Sequence, residues 1–421
     1  MRVNYLQNKL KSCKCFEKKA LAFFNMKKIR IRHLILTLLV FVQCTVDDED
    51  TGDIEFVQEN LKNEVLSTNN SPTDNSNTET QTSFEHQKML INWVDNIILP
   101  SISNFESSLT ELEAKTSLFK SNPTTESLSI LRASWLDSFL KWQHVEMFDI
   151  GVAEEIYYKN RINLYPTNVE KIERNILNQN YDLNNSSNFS SQGFNGLAYL
   201  LFGIAENDDE IILKYSSEDL NYSKYLTDLI DKIIELTLEV QKGWDEEFRE
   251  SFINSTDNTS TSSINKIIND FIYYFEKGFR ANKIGIPAGV FSNTPLPDRV
   301  EAYHSKIHSK ALSLEATYAI ENFFNGIYSN DKSLSGLSIN EYLNFIEADQ
   351  DEKLSNRINE QLEKIKVQLG ELNNDFSFQV NQDNLTMLKT YDVIQKNVVL
   401  LKVDMLQKLN ISVDYADADG D

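Results

Sequence analysis

The sequence predicts an all-α protein with bundle-like packing. Three observations support this. Among 421 residues there are only 13 Gly and 7 Pro, well below what the frequent turns of an all-β chain need. Apolar residues recur at steps of three and four in several long segments. No comparable run alternates with period two.

The stripes follow in order. Asn122-Pro123 reads as an N-cap with Pro at the first helical position. After it Leu128, Leu131, Trp135, Phe139, Trp142 and Val145 form one apolar face. Leu226, Leu229, Ile230, Ile233 and Ile234 begin a second, running to Trp244. Ser263 reads as the cap of a third through Ile267, Phe271, Tyr274 and Phe275. Ile358, Leu362, Ile365, Leu369 and Leu372 make a fourth, and Leu388, Tyr391, Ile394, Val398, Leu401 and Met405 a fifth. The polar stretch Asn254 to Ser263 is a break between two helical halves, 84–253 and 264–421. Gly285 to Pro297 is irregular yet apolar, which predicts a loop packed on a helical surface.

Charge divides the chain. It carries 63 acidic and 41 basic side chains, net -22. Residues 1–43 hold 10 of the basic ones and a single acid, Glu17. The rest is strongly acidic, which argues against a nucleic-acid partner. Met26 to His33 is a basic run and Leu34 to Val42 an apolar one of about nine residues, too short for a membrane span of about 20 but fitting a secretory signal that starts at Met26. Cys44 follows, then Asp47-Asp48-Glu49-Asp50. This layout resembles a bacterial lipoprotein signal, with Phe41 and Gln43 where Leu and a small residue are usual. It implies acylation of Cys44, removal of the 1–43 leader and a polar tether over 44–83. The acidic run resembles the surface-export signal of Bacteroidetes lipoproteins and implies an outer-membrane location, facing outward. Cys13 and Cys15 fall in the leader, so no disulfide framework or Cys-based metal site is expected in the mature chain.

Three further segments carry a family resemblance. They are Arg132 to Gly151 (RASWLDSFLKWQHVEMFDIG), Gly193 to Gly203 (GFNGLAYLLFG) and Glu276 to Tyr303 (EKGFRANKIGIPAGVFSNTPLPDRVEAY). Together with the Asp-rich ending DYADADGD, they are similar to the imelysin family, in its Bacteroidetes lipoprotein branch with iron-regulated protein A-like members. The resemblance implies two pseudo-symmetric helical half-domains in a cell-envelope protein linked to uptake of iron or an iron complex, with an outer-membrane uptake protein as a partner. It also implies a family signature, Gly-x-His-x-x-Glu, whose His and Glu share a helical face as metal ligands in bundles do. Here the matching residues are Gly193, Asn195 and Ala198. Asn offers only a neutral amide oxygen and Ala nothing. No catalytic residue is assigned, and iron or another divalent metal is expected to bind weakly if at all.

Gln143 and Glu146 at the end of the second helix are expected to line the half-domain's interior or a pocket. A buried Glu146 needs a partner such as Arg132, Lys277 or Arg280. Glu276 and Arg280 join the same candidate pocket. His144, two residues from Glu146, faces elsewhere. Glu301, His304 and His308 have the spacing of one helical face, a weak metal candidate beside Lys306 and Lys310; otherwise the histidines are solvated. Asp414, Asp417, Asp419 and Asp421 begin like a calcium loop but lack its closing Glu. No phosphate loop, Ser nucleophile elbow or Cys nucleophile is readable. Three functions remain: a lipid-anchored iron-related binding protein, a divergent metallopeptidase, or an envelope interaction module with a degenerate pocket.

Overall fold

A computed structural model describes residues 83–217 and 221–415. The leader, Cys44, the tether and the last six residues, with Asp417, Asp419 and Asp421, lie outside the described residues. Those described are helical, with one isolated bridge, Ile327 to Ser335. None of their helices is long and apolar enough to cross a membrane.

The expected stripes are helices: α2 (Thr125–Trp142), α4 (Asn221–Gly243), α5 (Ser263–Tyr273), α7 (Leu354–Gly370) and α8 (Asn384–Val399). Three more contribute to packing: α1 (Leu99–Ser121), the short α3 (Gly193–Ala198) and α6 (Ser309–Phe324). Trp135, Phe139 and Trp142 are fully buried, each stabilising by roughly 1.5–3 kcal/mol or more through apolar burial. The Trp135 indole N–H donates to the Phe194 carbonyl at 3.2 Å, and Phe139 stacks on Phe194 with centroids 4.5 Å apart. These two contacts seat α3 against α2.

Two helix starts lie elsewhere than expected. Thr124, not Asn122, caps α2. Its hydroxyl accepts from the Ser127 amide at 3.2 Å, and the Ser127 hydroxyl accepts from the Thr124 amide at 3.0 Å, a reciprocal capping box. Pro123 therefore precedes the cap, while the Asn122 amide closes α1 on Leu118. Ser262 caps α5 by accepting from the Asn265 amide. The polar break is tied down, since Asn258 donates to the Asn410 carbonyl at 3.2 Å.

α1 packs against both α2 and α4, α7 packs against both α6 and α8, and α2 meets α6. Among the described residues four stretches wind as π-helix, including Tyr199–Gly203 and Tyr274–Gly285. The i→i+5 bonds of a π-helix put more residues in each turn than an α-helix has. Nine residues make about two turns of the former and two and a half of the latter. Tyr274 and Lys283, nine apart, therefore share a face that an α-helix would split.

Gly193 sits at φ +71, and a Cβ there would lie 2.3 Å from the Ile162 carbonyl oxygen. Gly193→Ala is expected to destabilise the protein by at least about 1–3 kcal/mol. A urea denaturation midpoint equal to that of the wild type would contradict this.

Candidate functional site

Five segments converge on one buried polar cluster. Gln143 and Glu146 lie in the turns that end α2, and Asn163 ends the short helix Tyr158–Ile162. Asn195 projects from α3, Lys283 from the π-helical Tyr274–Gly285, and Glu301 from the turn before Tyr303–Ser305.

The centre is the Lys283 ammonium, on a side chain 1% exposed. It donates to both Glu301 carboxylate oxygens, at 2.6 and 2.7 Å, and to Gln143 Oε1 at 2.9 Å. Glu146 Oε2 stands 3.8 Å away. The Asn163 amide donates to Glu146 Oε1 at 2.7 Å and to Glu301 Oε1 at 2.8 Å. Asn195 donates to Asn163 Oδ1 at 2.8 Å and accepts from the Ala302 amide at 2.9 Å. The result is a shell of oxygens around an internal cation, braced by two asparagines. An unpaired buried ammonium or carboxylate would cost several kcal/mol, so the groups are held in place by mutual need.

Two carboxylates face one ammonium, leaving one negative charge in excess. Burial raises the Glu146 carboxyl above its ordinary value, with Lys283 opposing the shift. Burial, reinforced by Glu301 and Glu146, pushes the Tyr165 and Tyr274 phenols well above theirs.

Two clefts border the cluster, each of about 130 Å³. One is lined by Glu146, Asn163, Tyr165, Tyr274, Asp149 and Asp270 among others. The other is lined by Asn195, Tyr165, Thr167, Asp298 and His304 among others. Burial pushes the His304 imidazole down to about 4, so it is neutral at pH 7. In the first cleft, burial and the nearby Asp149 raise the Asp270 carboxyl to about 8.

Of the candidate pocket residues, the structure places Gln143, Glu146 and Asn195 in one cluster, around Lys283. Arg132 is engaged elsewhere, with Asp208 at 2.8 Å and the Leu201 carbonyl at 2.7 Å. Glu276 and Arg280 belong to a separate buried ion group. Glu276 accepts from Lys402 at 2.9 Å and Tyr415 at 3.0 Å, pairs with Lys277 at 2.9 Å, and has Arg280 at 3.6 Å. Ala198 is fully buried among apolar side chains and presents nothing to the cluster.

Glu301, His304 and His308 do not share a helical face. A 3-10 turn occupies Tyr303–Ser305, with Ala302 and Lys306 left-handed on either side, and α6 starts only at Ser309. Glu301 turns inward to Lys283. His304 packs edge-on to Tyr199 at 5.0 Å, and His308 packs on Trp135 at 5.6 Å. These histidines are packed against rings rather than solvated. His144 faces away from Glu146, as expected, and bonds Glu315 at 2.6 Å. No group of three His, Cys, Asp or Glu side chains arranged to hold a metal occurs among the described residues.

Comparison with known proteins decides the family. The imelysin family model matches residues 98–399. The chain belongs to the imelysin family. Two crystal structures share its fold. An imelysin-like protein from Psychrobacter arcticum is 18% identical with a TM-score of 0.61, and a proposed iron-regulated protein A precursor from Parabacteroides distasonis is 15% identical with a TM-score of 0.62. Each alignment covers 78% of this chain and 97% of the other. No curated protein matches. The match spans the segments that hold Gln143, Asn195, Lys283 and Glu301 in this imelysin-family chain. Sequence reasoning missed Lys283 and Asn163: the first sits on a π-helix that 3.6-residue periodicity misplaces, the second ends a five-residue helix with no stripe to mark it.

Lys283→Met should cost about 3–5 kcal/mol by stranding the carboxylates, and adding Glu301→Gln should recover part of the loss. Chemical denaturation checks both; a single variant as stable as the wild type would contradict the pairing. Asp270 supplies a pH test. Its folded pKa is raised, from 3.8 to about 8, so its share of stability is complete below 3.8 and lost as pH rises through about 8. Asp270→Asn should therefore gain stability relative to the wild type as pH rises across that window. A pH-independent difference would contradict the assignment.

Proposed function

We propose that this imelysin-family protein is a non-catalytic binding protein of the cell envelope, anchored through Cys44 and acting in uptake of iron or an iron complex alongside an outer-membrane uptake protein. The observation that carries the non-catalytic part is the Lys283 ammonium. It holds the oxygens of Glu301 and Gln143 at hydrogen-bonding distance, in the cluster that contains the signature position Asn195. A fixed positive charge repels a metal ion, and both atoms of the Asn195 amide head already have hydrogen-bond partners. The residues present therefore do not fit a transition-metal centre, and no metal-assisted hydrolysis is derived. The iron link draws on the name of the Parabacteroides distasonis neighbour and on the branch that the sequence resembles. The acidic balance would concentrate cations near the surface without selecting among them. Division into related halves over 84–253 and 264–421 is part of the same reading.

Two experiments test it. Calorimetry with Fe2+ and Zn2+ should show weak or no binding by the wild type, and a gain in Asn195→His with Ala198→Glu and Lys283→Met. Tight stoichiometric binding by the wild type, lost in Asn195→Ala, would contradict the metal-free site. For the anchor, Cys44→Ser should release the protein from the membrane fraction. A variant that still fractionates with the outer membrane would contradict the lipidation.

A further inference from the structure

The buried cluster leaves a charge unbalanced on the side of one cleft. Lys283 pairs with Glu301, and the second carboxylate oxygen of Glu146 has no hydrogen-bond partner. The Tyr274 side chain is 5% exposed, and its hydroxyl approaches Glu146 without completing a hydrogen bond of good geometry. Both residues line the same cleft. Buried polar groups are almost always satisfied, so two orphans side by side point to a missing partner.

The lining says what kind. The cleft's two lysines are engaged: Lys159 with Asp149 at 2.6 Å, and Lys277 with Glu276 at 2.9 Å. Asp270, at the rim, makes no ion pair within 4 Å among the described residues. The lysines of the lining are thus already paired, and its uncompensated groups are the Glu146 and Asp270 carboxyls, a setting that favours a cation over an anion. The walls are aromatic, with Tyr165, Tyr273 and Tyr274 all lining the space. Tyrosine faces attract organic cations more than they attract strongly hydrated metal ions. The protein's own chemistry gives a precedent at this rim, where the Lys159 ammonium lies 4.9 Å from the Tyr273 ring centroid.

We propose that this cleft binds a small organic ammonium ion, with the Glu146 carboxylate as counter-ion, the Tyr274 hydroxyl as a hydrogen-bond partner and the tyrosine rings as walls. The proposal deepens the binding-protein reading by naming a ligand class for the cleft beside its central cluster. A protonated amine supplies the donors that Glu146 Oε2 lacks and neutralises the excess charge. Its alkyl part rests on the rings. Because burial raises the Glu146 carboxyl, the site competes with a proton, and binding strengthens as pH rises.

The test uses the full chain, with n-propylammonium as probe and 1-propanol as its neutral counterpart. Calorimetry should show saturable one-to-one binding of the ammonium and none of the alcohol. Affinity should increase as pH rises and Glu146 loses its proton, with protons released on binding. Glu146→Gln, nearly isosteric, should weaken binding at least about tenfold. Asp270→Asn at the rim should weaken it by a smaller factor, which keeps the test decisive if the buried variant folds poorly by circular dichroism. Equal binding of 1-propanol, unchanged affinity in both folded variants, or no saturable binding by the wild type would each overturn the proposal. Zn2+ titrated into the same sample separates the two claims, since tight Zn2+ binding contradicts the metal-free reading without touching the amine result.

Discussion

A lysine ammonium placed where no water reaches must be surrounded by oxygens, and that requirement organises the centre of this molecule. Lys283 draws Gln143 and Glu146 from the end of α2 and Glu301 from the turn before α6. The carboxylates in turn need Asn163, and Asn163 needs Asn195. Each link is a buried polar group whose partner comes from another segment, so the segments cannot drift independently. The apolar contacts of Trp135 and Phe139 with Phe194 hold the scaffold that makes this convergence possible. Gly193 permits it, because only a residue without Cβ clears the Ile162 carbonyl at the entry to α3.

The same requirement gives the residues of α3 their roles. Asn195 serves as a brace, and Ala198 joins the apolar core. The shell of oxygens closes on an ammonium fixed to the chain. An internal cation cannot exchange with solvent, so the cluster is a permanent structural feature. What remains open to a ligand is the cleft on its flank, where Glu146 is not fully compensated.

Much of the fold was legible because apolar stripes at 3.6-residue spacing are a direct imprint of helix packing. The stripe from Leu128 to Trp142 and that from Ile358 to Leu369 coincide with α2 and α7. Helix starts were less legible, since Asn122, Thr124 and Ser127 are all capable caps and only the reciprocal bonds decide among them. The site was legible in part. Gln143 and Glu146 are readable as inward-facing polar residues, and Asn195 is marked only by the family resemblance. The spacing of Glu301 suggests a helical partnership with two histidines that the turn at Tyr303–Ser305 does not allow. Lys283 was unreadable because Tyr274–Gly285 winds as π-helix, where α-helical spacing assigns residues to the wrong face. The basic leader and Cys44 stand apart from all of this, as they lie outside the described residues.

An ammonium, not a metal ion, occupies the heart of the cluster. A high-resolution crystal structure of the protein grown with Zn2+ probes this through anomalous scattering at the zinc edge. No anomalous peak is expected among Gln143, Glu146 and Glu301, with the Lys283 nitrogen within hydrogen-bonding distance of both Glu301 oxygens. An anomalous peak bonded to Glu301, with the Lys283 side chain displaced from the cluster, would contradict it.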